Sequence, residues 1–323
     1  MDVDKIKEAI FKSIEENFDL KIRSGRQIHR GWRNLKWKIE TDEGSLFVKQ
    51  YHPERYPPKK LDRVREALRI QAYLAENGIP CPKPFQYEES HLIKTDCDVC
   101  YCLTPYCEGE VVKPGEVNMD QMYHLGKVTG KMHKKLQVLP AQPPGWKPSY
   151  EKICEAWNRN WDRARLEKRP DRVLQAINSQ RTIIDQLELD RFHDCPVGWA
   201  HSDLFVDNLL FSPDRVSAVL DFDRITVIYP ELDLSRAILS CALKEDKMRL
   251  DAVSAFLNGY NEYIAFQGND LVRAFKLLWC RESAKWIRPE MEERPGSAMR
   301  FVHEILWITA NWNELDKIFN SLP

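Results

Sequence analysis

The chain has no excess charge of either sign: Lys plus Arg number 48 and Asp plus Glu 49 across 323 residues. A balance so near neutral lacks the electrostatic footprint of a nucleic-acid binder or of a protein held on an anionic membrane, so neither partner is expected. No run of about 18 apolar residues exists that could span a bilayer. The start, Met1-Asp2-Val3-Asp4-Lys5, is acidic and runs into an amphipathic pattern, so no signal peptide is expected. Nine cysteines is an odd count without disulfide-like spacing, which points to reduced thiols and a cytoplasmic protein. Repeats and low-complexity segments are absent.

What is present is 43% hydrophobic residues, ample for a large core and compatible with one bilobal unit or two domains. Residues 2–17 carry Val3, Ile6, Ile10, Phe11 and Ile14 at helical period, which predicts a helix outside the first sheet. Leu35, Trp37 and Ile39 then alternate with Lys36, Lys38 and Glu40. Asp42 to Ser45 reads as a turn and Leu46 to Tyr51 as the return strand. On that strand Lys49 shares a face with Phe47, while Leu46 and Val48 point the other way. A lysine ending such a strand can reach phosphates, with Phe47 close to an adenine ring; a solvated surface lysine is the ordinary alternative. Upstream, Gly31 in His29-Arg30-Gly31-Trp32 could let backbone N–H groups approach phosphates, although the three-glycine G-x-G-x-x-G pattern is lacking.

Residues 60–77 predict a helix that stops at Asn77-Gly78, and its Glu66 could pair with Lys49. Cys97 to Leu103 alternates like a strand. Cys97 and Cys100 have C-x-x-C spacing, but strand positions three apart face opposite sides, so a shared zinc ion would require a loop here. Residues 119–138 predict a helix with a structural His133, and Pro140 to Pro148 a connector. Residues 150–190, 232–243, 248–266, 271–286 and 299–315 read as helical. The expected class is α+β, with a β-rich part over 1–106 and a mainly helical part over 107–323.

The chemistry concentrates in His201-Ser202-Asp203-Leu204-Phe205-Val206-Asp207-Asn208. Four residues separate Asp203 from Asn208, the spacing of the H-R-D-x-x-x-x-N catalytic loop. Leu209 to Phe211 and Val216 to Leu220 read as two short strands about a Ser212-Pro213-Asp214-Arg215 turn. Folded antiparallel, they would bring Asn208 opposite Asp221, and an amide oxygen and a carboxylate would converge as a magnesium ion on phosphates requires. Asp203, just upstream, would accept the proton of an attacking hydroxyl. Each residue alone has an ordinary explanation in a turn or a cap; the joint pattern does not.

At these residues the chain resembles the aminoglycoside phosphotransferase and choline kinase group of kinase-fold enzymes. The motifs are His201-Ser202-Asp203 with Asn208, Leu220-Asp221-Phe222-Asp223, and Pro230-Glu231-Leu232-Asp233-Leu234. The resemblance implies a protein-kinase-like bilobal fold and the use of ATP (or GTP) with magnesium. It implies Asp203 as base, Asn208 and Asp221 on the metal, Lys49 on the phosphates and Glu66 orienting Lys49. His201 and Asp233 would support the loop, with Asp233 bracing it. Thr104 to Cys107 resembles the hinge between lobes, where adenine would bond the Pro105 carbonyl and the Cys107 N–H. The chain departs from the group in its glycine-poor phosphate loop and in Ala67, which stands where the glutamate would fall. Homoserine kinases and spore-coat proteins are similar here, so the acceptor is left as an aminoglycoside, amino alcohol, sugar or homoserine-like hydroxyl. Monomer and homodimer both stay open.

Two rivals are weighed against a small-molecule kinase. A protein kinase needs a long activation segment ending in A-P-E, but only nine residues separate Asp223 from Asp233, and Ser202 replaces the usual arginine. A non-catalytic kinase-fold binding protein would be expected to lose the base or a metal ligand, and all three are present. Trp157, Trp161, Arg281, Glu282, Trp286 and Trp307 could reach an acceptor pocket, although each reads more simply as core or surface.

Overall fold

The computed structural model describes residues 2–29, 34–140, 142–294, 297–319 and 322. It divides into two units. The first is Met1–Glu110 with Ser217–Arg224, and the second is Val111–Val216 with Ile225–Pro323.

The first unit opens with helix α1 (Val3–Phe18), capped by the Asp2 carboxylate, which accepts the Val3 N–H at 2.8 Å. Strands β1 (Ile22–Gln27), β2 (Lys36–Thr41), β3 (Gly44–Gln50), β4 (Ile93–Lys94) and β5 (Cys100–Pro105) form one sheet in the order β1-β2-β3-β5-β4. Alternation along β2 and β3 sends Trp37, Ile39, Leu46 and Val48 to one face. There they meet Ile10 and Ile14 of α1, with Tyr101 and Leu103 from β5. Each fully buried isoleucine stabilises this packing by roughly 2 kcal/mol. Helix α2 (Pro58–Glu76) starts with proline at its first position, where no backbone N–H is needed. It ends where Gly78 takes φ 74°, a left-handed stop that favours glycine.

The edge strand β1, Ile-Arg-Ser-Gly-Arg-Gln, buries no residue fully. It shows none of the alternation that marks β2. The predicted strand over 97–103 begins later, at Cys100, so Cys97 is exposed and precedes it.

The second unit is built around α6 (Glu231–Ala242), every residue of which is buried. Helix α3 (Met119–Leu136) crosses α7 (Leu250–Tyr260) at backbone contact. A Cβ on Gly126 would lie 1.9 Å from the Phe256 carbonyl oxygen, and one on Gly259 would lie 2.0 Å from that of Tyr123. Glycine is required here by proximity, not by its φ. The predicted 150–190 helix is two, α4 (Tyr150–Leu166) and α5 (Asp171–Asp185), because Pro170 cannot continue the hydrogen-bond ladder. Strands β6 (Gly198–Ala200) and β9 (Thr226–Ile228) pair antiparallel. Strand β7 (Leu209–Phe211) leads to β8 (Val216–Val219) through a turn closed by the Ser212 N–H on the Arg215 carbonyl at 2.9 Å. Helix α7 ends at Tyr260, not at residue 266, and α8 (Gly268–Trp286), α9 (Ser297–Asn311) and α10 (Leu315–Phe319) complete the unit.

Candidate active site

In the first unit, β3 delivers Lys49 to two carboxylates. Its Nζ donates to Asp221 at 2.8 Å and to Asp223 at 2.7 Å, and its side chain is only 9% exposed. Burial works against the ammonium, but the two carboxylates outweigh it, so its pKa stands above the usual lysine range. Asp221 takes φ 62°, a left-handed conformation unfavourable to a side chain with a Cβ. Asp223 also receives the Tyr51 hydroxyl at 3.2 Å and the Tyr56 hydroxyl at 2.8 Å. Burial and then the Asp223 charge push the Tyr56 phenol up to about 12. Directly across the strands, Lys36 pairs in register with Lys49. Burial, and next the like charge of Lys49, lower the Lys36 pKa.

Phe47, two residues before Lys49, is half-buried. Tyr106 donates its N–H to the Ser45 carbonyl at 3.0 Å. In an extended chain the Pro105 carbonyl and the Cys107 N–H then point to the opposite edge. Pro105 stands opposite Leu46 at a non-hydrogen-bonded position, where a missing N–H costs the ladder nothing.

Glu66 requires a correction. Its carboxylate is taken by Arg69, at 2.7 and 2.9 Å, and it forms no pair with Lys49. Three residues further along α2, Arg69 lies on the same exposed surface, so the near partner wins. Gly31 lies outside the described residues.

In the second unit, the loop after β6 is tied to one buried acid. Asp233, 1% exposed, accepts the backbone N–H groups of His201 at 2.7 Å and Ser202 at 2.8 Å, and meets His133 Nε2 at 3.1 Å. The other nitrogen of His133 lies 3.0 Å from the Tyr260 hydroxyl. Burial alone would raise the Asp233 pKa; the His133 hydrogen bond and charge, helped by His201 and the Ser202 N–H, bring it below the usual aspartate value. These bonds hold Ser202 at φ 64°, a strained geometry for serine.

Beyond Ser202, the Asp203 N–H donates to His201 Nδ1 at 3.3 Å, which requires a lone pair on that nitrogen. Asn208 Nδ2 donates to the Asp203 carbonyl at 2.9 Å and to its carboxylate at 3.3 Å. The Val206 N–H is fixed by Ser240 Oγ of α6 at 3.0 Å. Downstream, the turn after β7 rests on the start of α3: Gln121 donates to the Ser212 carbonyl and Asn118 to the Pro213 carbonyl, both at 2.8 Å. The same two residues form the capping box of α3.

The structure thus joins Lys49 to Asp221, and Asn208, His201 and Asp233 to the Asp203 loop. Asp223, Tyr56 and Lys36 were not singled out from the sequence. The acid was readable in Leu220-Asp221-Phe222-Asp223, while Tyr56 carries no spacing signal. Among the described residues no group of three or more His, Cys, Asp or Glu could hold a metal ion. Magnesium commonly takes only one or two carboxylates and completes its shell with phosphate and water. No described helix is long and apolar enough to cross a membrane.

The sequence pattern of the phosphotransferase enzyme family matches residues 24–266. A homoserine kinase of Granulibacter bethesdensis is 28% identical over 248 residues, covering 73% of this chain and 70% of the relative. Among solved structures, an amicoumacin kinase in complex with AMP-PNP, Ca2+ and Ami superposes with a TM-score of 0.62 at 17% identity, covering 96% of each chain. A microcompartment-associated aminopropanol kinase gives a TM-score of 0.58 at 16% identity, covering 96% of this chain and 98% of its own. These two share the α+β fold. The chain belongs to the phosphotransferase enzyme family, and it is a small-molecule kinase.

Proposed function

We propose that the protein transfers the terminal phosphoryl group of ATP to a hydroxyl of a small amine-bearing molecule, with Asp203 as the base. The Asn208 amide carries this reading. Its nitrogen is committed to Asp203, which leaves its oxygen as the group available to a hard cation. Asn208 and Asp221 would hold magnesium, with Asp223 as a further oxygen donor; the all-oxygen set suits that ion better than a softer metal. Magnesium, when bound, supplies charge neutralisation on the phosphates. Lys49 would hold those phosphates, with Lys36 beside it in register. Phe47 would flank the adenine, and the Pro105 carbonyl and Cys107 N–H would read its edge.

Asp203 would orient the acceptor hydroxyl and take its proton while His201 and Asn208 keep the loop from turning. The relative named for homoserine and the structure named for aminopropanol both concern small molecules with an amine and a hydroxyl. That favours a hydroxylated amino acid or amino alcohol as acceptor. ADP release is measured across such compounds for the wild type and for Asp203→Ala. Turnover in the variant should fall about 10²–10⁴-fold with ATP affinity nearly unchanged. Collapse of ATP affinity, or no ADP release with any hydroxylated compound, would overturn the reading.

A further inference from the structure

Helix α9 lies beyond residues 24–266, the stretch that follows the family pattern, yet it reaches the loop between Asp203 and Asn208. Arg300 Nη2 stands 2.5 Å from the carboxylate of Asp207, the residue just before Asn208. Its neighbour Phe301 packs edge-on against Phe205 of the same loop, with ring centroids 5.1 Å apart. The Arg300 guanidinium lies 5.5 Å from the centre of the Phe205 ring and 4.9 Å from that of Phe301. Two consecutive residues of α9 thus grip the middle and the end of the loop.

Arg300 is itself held from behind. Its Nε stands 3.1 Å from Glu304, one turn later on α9, and Glu304 is also bound by Arg236 of α6. Arg236 pairs in turn with Glu282 of α8. Arg236 and Glu304 are buried and the Arg300 side chain is 13% exposed, so Asp207, at 43%, is the open end of a buried charge network. A partner fixed in this way loses little freedom on pairing, unlike two solvated side chains that must both be ordered. Both contacts of Arg300 are ion pairs without aligned hydrogen bonds, so charge carries them. The loop is tied at its start by Asp233 and in its middle by Ser240, both from α6. The tie at its end comes from α9. A single peptide bond joins Asp207 to Asn208, so a shift of this turn also moves the amide that donates to Asp203.

We propose that Arg300 is a positioning residue for phosphoryl transfer: through Asp207 it holds the Asn208 end of the loop against α9. This role presupposes Asp203 as base and Asn208 on the metal. The plainer alternative is that Arg300 only neutralises Glu304 inside the helical unit, and that alternative has no need of Asp207. Misplacing a catalytic group by about 1 Å can cost on the order of 10²-fold in rate, so a loose loop end should be visible in turnover.

ADP release with hydroxylated amines is measured for the full chain and for Asp207→Asn, Arg300→Gln, the double variant and Arg300→Lys. Each of the first two should lower kcat about tenfold or more, with the KM for ATP within about threefold of wild type. The double variant should be at most about twofold slower than the slower single one, as expected of two residues acting through one contact. Arg300→Lys should recover most of the loss, because it keeps the charge. Asp207→Asn leaves the buried pairing of Arg300 with Glu304 in place, so it stays informative even where Arg300→Gln fails to fold. Backbone amide exchange over residues 204–209, followed with no acceptor present, should quicken about tenfold in both single variants. Wild-type kcat in Asp207→Asn, multiplied losses in the double variant, or unchanged exchange would each overturn the proposal. No ADP release by the wild type with any acceptor would overturn the functional reading instead, and the exchange measurement would still decide whether Arg300 holds the loop.

Discussion

The Lys49 ammonium lies 2.8 Å from a carboxylate oxygen of Asp221, a residue 172 positions further along the chain. Asp223 completes the contact at 2.7 Å from the other side of the same turn. A buried cation is therefore held by two acids of which one, Asp223, is itself nearly buried at 12% side-chain exposure.

Lys49→Ala leaves Asp223 with two tyrosine hydroxyls and without its ion pair, with Lys36 as the cation still nearby. Unfolding in urea should show a loss of about 3 kcal/mol, toward the lower end for a buried pair because Asp221 is partly solvated. Nucleotide affinity should fall as well. Glu66→Gln serves as the contrast, since it removes only an exposed i,i+3 pair and should shift stability by no more than about 0.5 kcal/mol. If Glu66→Gln matched Lys49→Ala in nucleotide affinity, the pairing seen here would not describe the working enzyme.

Asn208→Asp keeps an oxygen for a cation but replaces the amide that donates to Asp203 with a second carboxylate. The Asp203 carboxylate then faces a like charge and should hold its proton to higher pH. The acid limb of the kcat/KM profile should move upward by about one pH unit or more. An unmoved limb with reduced turnover would show that Asn208 does not act on Asp203.

Asp233→Asn tests the anchor of the loop. An amide offers one oxygen where two N–H donors and His133 now converge, so about 3 kcal/mol of stability should be lost at pH 7. The folded-state pKa of Asp233 lies below its ordinary value of 3.8, so its contribution is complete above that value and is lost as pH falls through the folded pKa. The variant should therefore unfold with a shallower acid limb below about pH 4 than the wild type. Parallel acid limbs would contradict the assignment.

Gly126→Ala places a methyl group where the Phe256 carbonyl already stands. Helices α3 and α7 must separate, at a cost of about 3 kcal/mol in thermal or urea unfolding. His133 rides on α3 and Tyr260 on α7, so the hydrogen bond that steadies His133 against Asp233 should loosen. Turnover should drop more than nucleotide affinity. An Ala variant as stable as the wild type would show that the helices can move apart freely.

Much of this molecule was legible before its structure. The helices α1, α2 and α3 follow from apolar residues at three- and four-residue steps, and β2 and β3 from strict alternation, because burial on one side imposes the period of the element. Strand β1 escaped because an edge strand with no fully buried residue is under no such pressure. The partner of Glu66 was misread because a helix offers local competitors: Arg69 needs only a side-chain rotation, whereas Lys49 must be reached across the fold.

Sequence alone determined that four residues separate Asp203 from Asn208, that an acid follows at Asp221, and that the chain is α+β. These are matters of spacing and periodicity, which the covalent chain carries by itself. Only the tertiary structure decided that Lys49 meets Asp221 and Asp223 together, and that Asp233 reaches back 31 and 32 residues to hold Ser202 and His201. It also decided that Arg300 of α9 meets Asp207 of the loop. Contacts of that kind depend on how buried faces pack, and the free energy of packing is shared among residues that no local pattern connects.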